Sequence, residues 1–187
     1  MFRFLDLFKK KPNPIPTIKA TTQHKVDDRK KHEIFLTELE DLLISSNLFK
    51  VEYIKQYKNL YKDYKAFTGK DHTLLSKQPY FIESLRSEER QLKKNEIKRY
   101  SKNIVLLASR RAVARVTLDR FHKDKLFNEV ILIFPTNDLI CETVIAQKRI
   151  YNNKVISISK APIYPLKSCI RCPACHLGIH YKLNIRL

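Results

Sequence analysis

The stretch Cys169-Ile170-Arg171-Cys172-Pro173-Ala174-Cys175-His176-Leu177-Gly178-Ile179-His180 holds three of the chain's four cysteines and two of its six histidines. Thiolates and imidazoles this close together suit a tetrahedral metal site with four sulfur or nitrogen ligands, of which zinc is the usual occupant. Cys172 and Cys175 have the C-x₂-C spacing of a zinc knuckle, which lets two sulfurs face one ion. Cys169 adds a third, and His180 is the expected fourth, with His176 and Cys141 as the other residues able to take that place. The three cysteines also match the opening of the C-x₂-C-x₂-C-x₃-C iron–sulfur run, but the fourth position is Ile179. Cys172-Pro-Ala-Cys175-His176 satisfies the haem-attachment pattern, without an export signal to support it. A zinc deaminase would need a His-x-Glu upstream, and the chain has none.

Both sides of the cluster read as β structure. Leu177, Ile179, Tyr181, Leu183, Ile185 and Leu187 alternate with Gly178, His180, Lys182, Asn184 and Arg186. That period of two predicts a strand running to the last residue with one basic face. Upstream, Val130-Ile-Leu-Ile-Phe134 reads as a buried strand stopped by Pro135. Residues 139–151 read as a further strand, Asn152-Asn153 as a two-residue hairpin turn and 154–159 as the returning strand. A bound zinc would staple the terminal strand to this hairpin, adding its binding free energy to folding.

The rest of the chain reads as helix. Asp27-Asp28 offers a cap for a helix over 29–46, with Phe35, Leu39, Leu42 and Leu43 on one face and the acidic patch Glu38–Asp41 beside it. Over 48–67, Ile54, Tyr57, Tyr61, Tyr64 and Phe67 recur at spacings of three and four and are expected to pack inward, with interleaved lysines toward water. From Ile82 to Phe121 there is neither proline nor glycine, so a long helix is expected, with a break possible near Lys102-Asn103 or Ser109. The fold class is therefore α+β. Residues 1–26 form a basic extended arm, 27–126 a helical region, and 127–187 a small antiparallel β unit stapled by a metal.

Charge sets the partner. Lys and Arg number 37 against 19 Asp and Glu, a net of +18, which calls for a polyanion. Nucleic acid is the favoured partner, RNA before DNA, and the chain reads as a non-enzymatic structural subunit of a ribosome or other large ribonucleoprotein, among other protein subunits. An anionic membrane surface is the competing polyanion. The contact candidates are Lys9, Lys10 and Lys11 in the arm, and Lys94, Lys98, Arg99, Arg110, Arg111 and Arg115 along the long helix. Arginine forks match phosphate geometry. The competing reading pairs those arginines with the acidic patch at Glu38–Asp41.

Two glycines, Gly69 and Gly178, are too few for the phosphate loops of nucleotide-driven motors or dinucleotide enzymes. No apolar run reaches the roughly 18–20 residues of a membrane-spanning helix, and Met1–Phe8 carries its lysines after the apolar residues, unlike a secretory signal. A reducing compartment, cytoplasm or organelle matrix, follows as the expectation, and there clustered cysteines favour metal over disulfide. The enzymatic alternative is a Mg²⁺-dependent nuclease or DNA-processing factor of a mobile element or virus. It would use Asp138 and Glu142 as metal ligands and Lys148 near the attacking water, with Glu142 and Lys148 sharing a strand face.

Overall fold

The structure, a computed structural model, describes residues 20–63, 71–123, 128–134, 141–172 and 179–184. Among them are four α-helices: α1 (Ala20–Ser45), α2 (Val51–Asn59), α3 (Lys94–Lys123) and α4 (Glu142–Tyr151). Three short strands, β1 (Glu129–Ile133), β2 (Val155–Ser157) and β3 (His180–Leu183), form an antiparallel sheet in the order β2-β1-β3. The architecture is α+β, as the periodicities predict.

The helix expected from residue 29 begins at Ala20 and passes through Asp27-Asp28 instead of starting there. No proline or glycine lies between Pro16 and Asn47, so nothing local stops it earlier. At the other end Asn47 adopts a left-handed conformation with φ of 54°, which asparagine tolerates and which turns the chain out of the helix. Leu39, Leu42 and Leu43 are fully buried against α3, each worth about 2 kcal/mol in transfer free energy. α2 is shorter than the segment predicted over 48–67. Ile54, Tyr57 and Tyr61 point into the core, as their spacing predicts, whereas Tyr64 and Phe67 lie outside the described residues.

The long helix expected from Ile82 starts later, at Lys94. The backbone around Leu85 pairs with 48–50: Lys50 N–H donates to Ser84 O (2.8 Å), Arg86 N–H donates to Leu48 O (3.0 Å), and Phe49 bridges Leu85. This long-range pairing overrides the helical propensity of the segment, which is left with a 3₁₀ turn at Glu88–Gln91. From Lys94 the helix runs unbroken through Asn103 and Ser109 to Lys123.

The largest correction concerns residues 139–151. Glu142–Tyr151 is the helix α4, not a strand. Val144, Ile145 and Ile150 look strand-like, but Val144 and Tyr151 are one i, i+7 stripe that packs on the core, while Ile145 and Ile150 are exposed. Glu142 in the first turn and Lys148 and Arg149 in the last complement the helix dipole. Asn153 does carry the left-handed conformation that a turn needs, with φ of 59°. It ends a helix rather than closing a hairpin. In the sheet, β1 is central. Val130 faces Ile156 on one side and Leu183 on the other, and Leu132 faces Tyr181. β3 keeps the predicted alternation: His180 and Lys182 are exposed, Tyr181 and Leu183 half-buried.

One principal core takes residues from both halves of the chain. Phe35, Leu42, Tyr57, Ile104 and Leu107 meet Leu132, Phe134, Val144, Tyr164 and Cys169. A smaller cluster of Leu118, Val130 and Ile158 closes the far end of α3 onto the sheet.

Candidate metal centre and basic surface

Three cysteines converge where α4, α3 and the segment 163–172 meet. Cys141 is the N-cap of α4 in extended conformation. Cys169 lies in a 3₁₀ turn, Lys167–Arg171, and Cys172 caps the end of that turn, its N–H donating to Cys169 O (3.0 Å). The three Sγ atoms lie within 4.8 Å of one another, with Cys141 and Cys169 at 3.9 Å. A zinc ion with Zn–S bonds of ~2.3 Å sets its sulfurs ~3.8 Å apart at tetrahedral angles. The three thiols therefore fit one tetrahedral ion, whereas a disulfide would need a separation of ~2.05 Å. They can hold a metal ion, and their chemistry is compatible with zinc.

The turn that carries Cys169 and Cys172 is held from three sides. Asn103, buried on α3, donates its amide N–H groups to Ile170 O (3.0 Å) and Cys172 O (2.9 Å). Lys167 pairs with Asp41 of α1 (2.9 Å), and Arg171 pairs with Glu89 (2.7 Å) and lies over the Tyr100 ring. Two turns further along α3, Arg111 holds the start of the same segment, donating to Ile163 O (2.9 Å) and Pro165 O (2.6 Å). Tyr164 and Tyr181 complete the frame. Tyr164 N–H donates to the Tyr181 hydroxyl, which donates to Pro162 O (2.7 Å), and the Tyr164 hydroxyl donates to Gln147 of α4. Burial pushes both phenols up, Tyr181 to about 12, so each stays a neutral donor at neutral pH.

Of the ligands expected from sequence, Cys169 and Cys172 are in this group, and Cys175 and His176 lie outside the described residues. His180 sits on β3 opposite Ile133, exposed, and is not a member of the group. Cys141, an alternative from sequence, takes a place in it. Its signal was its residue type alone, since 28 residues separate it from Cys169. Asn103 gave no signal at all, because only tertiary structure shows what a buried amide holds.

The basic candidates divide. Lys94, Lys98, Arg99 and Arg110 are exposed on α3, and Lys9, Lys10 and Lys11 lie outside the described residues. Arg111 is corrected: it is 5% exposed and its Nε donates to Glu38 (2.6 Å), itself 1% exposed. Arg115 is half-exposed and pairs with the other oxygen of the same carboxylate. A buried carboxylate on α1 thus claims both arginines, and Arg111 has no surface to offer a ligand.

The nuclease constellation does not form as expected. Glu142 and Lys148 sit on a helix, where six residues are about 240° apart, so they do not share a face. Asp138 lies outside the described residues. Among the described residues no helix is long and apolar enough to cross a membrane. Comparison with protein-family models, with curated proteins and with solved structures finds no match to this chain.

Proposed function

We propose that the chain is a non-enzymatic RNA-binding protein, a structural subunit of a ribosome or other large ribonucleoprotein, with a structural zinc at the Cys141, Cys169 and Cys172 centre. The observation that carries the reading is how the charge is used. The net charge is +18, and Glu38, Glu40, Asp41, Asp71, Glu89 and Asp119 are each held by a cation of the same chain. Those six acids are taken up internally, and the surplus of +18 over the whole chain is left to be balanced from outside, which phosphate backbones do best.

In this reading the zinc joins α4 to the 163–172 segment through Cys141 on one side and Cys169 and Cys172 on the other. The sequence supplies Cys175 as the fourth thiolate. The ion offsets the charge of the clustered thiolates and adds its binding free energy to a small sheet with few strands of its own. The test is fluorescence anisotropy of labelled RNA with the full, untagged chain at several salt concentrations. Affinity should fall log-linearly with salt with a slope of several units. Absence of binding at about 50 mM salt, or an affinity indifferent to salt, would overturn the reading.

A further inference from the structure

We infer that the exposed face of α3 carrying Lys98, Lys102 and Arg110 is the surface on which the chain docks double-helical RNA, reading its phosphate backbone and shape. This rests on the RNA-binding reading above and assigns it a place. Lys98, Lys102, Leu106, Arg110, Val113 and Thr117 follow each other at spacings of three and four and form one face. None is an acid, and Lys98, Lys102 and Arg110 are exposed, with no ion-pair partner among the described residues. The two acids of α3 lie elsewhere: Glu96 is in the first turn, and Asp119 is tied to Lys30 at 2.7 Å.

The opposite side of α3 is fixed. Arg111, Asn103, Ile104 and Leu107 bury it against α1 and the cysteine-bearing turn, so the basic face is presented on a rigid support. Lys98 and Arg110 are twelve residues apart, about 18 Å along the axis, a span that reaches several successive phosphates of one strand.

Two features suit this face to a duplex, and the RNA is that of the proposed function. Between Lys98 and Val113 the exposed residues lie within about a third of the helix circumference, and the rest of that stretch is packed on the protein. A flush face fits the wide, shallow minor groove and flanking phosphates of A-form RNA. The described residues of this face also include no aromatic ring on which single-stranded bases would stack.

His72 reports on the same place. Burial lowers its pKa first, then the positive charge of Lys102. Asp71 opposes this, and Arg110 lowers it further. Asp71 is itself held by Lys77 at 3.1 Å. Phosphates bound at Lys102 and Arg110 would offset those charges and raise the His72 pKa.

The test compares Lys98→Gln/Lys102→Gln/Arg110→Gln with a control, Lys55→Gln/Lys154→Gln/Lys160→Gln, both as full metal-loaded chains checked for unchanged folding by circular dichroism. With duplex RNA the first variant should lose on the order of 10²-fold in affinity at 0.1 M salt and about two units of salt slope, at ~0.7–0.9 per phosphate contact. NMR should show the His72 pKa rising on RNA binding in the wild type. Losses equal to the control's, or an unmoved His72 with RNA bound, would put the RNA elsewhere and leave the RNA-binding reading standing. Equal binding of duplex DNA would overturn the choice of RNA. No RNA binding by the wild type would sink both.

Discussion

Glu38→Gln tests the joint that holds the two halves together. The carboxylate is 1% exposed and accepts from Arg111 Nε at 2.6 Å and from Arg115. The substitution keeps shape and removes charge, leaving the Arg111 guanidinium, 6% exposed, without its counter-charge. Removing one partner of a buried pair costs about 3–5 kcal/mol. For a chain of this length that corresponds to a loss of roughly 6–20 °C in Tm, at ~2–4 °C per kcal/mol. The internal reference is Asp119→Asn, which breaks the exposed Lys30 pair (43% and 51% exposed) and should cost no more than about 1 kcal/mol. Urea unfolding at pH 7 with the metal saturated, followed by far-ultraviolet circular dichroism because the chain has no tryptophan, gives both values. A Glu38→Gln cost below about 1 kcal/mol, or equal to that of Asp119→Asn, would refute the reasoning.

Two further outcomes follow from the same geometry. Asn103→Leu strips the donors from Ile170 O and Cys172 O and should cost about 2 kcal/mol or more. It should also speed metal loss to a chelator, and an unchanged release rate would show that the amide does not position the turn. In alkali, stability should fall. Tyr57 and Tyr181 are pushed up to about 12 by burial, and Tyr61 and Tyr164 are raised too. Above ~10 the unfolded chain releases these protons and the folded chain keeps them, so the contribution is whole below pH ~10 and lost as pH rises toward 12. Ultraviolet titration of phenolate should be biphasic, with the late phase coinciding with unfolding. A single phase near 10 with the fold intact would contradict this.

Much of the helical half was legible because apolar spacing at three and four is a strong signal. Leu39, Leu42, Leu43, Tyr57 and Tyr61 all face the core as read. Residues 180–183 were legible for the same reason at period two, the rest of the expected terminal strand falling mostly outside the described residues. Residues 142–151 were not, because Val144, Ile145 and Ile150 favour a strand locally and only packing shows that two of the three are exposed. Adjacent arginines posed a related difficulty. Arg110 and Arg111 are alike in composition, but 100° apart on a helix one faces water and the other Glu38. At the cysteine centre, the local spacing located Cys169 and Cys172, while Cys141 arrives through the fold. No local pattern records a partner 28 residues away.

The most direct measurement is zinc content together with the zinc-edge X-ray absorption spectrum of the untagged full chain, purified without added metal, beside its Cys141→Ser variant. The account predicts about one zinc per chain with sulfur neighbours at ~2.3 Å, and a Cys141→Ser protein that loses a sulfur neighbour and releases its zinc more readily. A metal-free chain, a shell without sulfur, or a Cys141→Ser protein indistinguishable from wild type would contradict it.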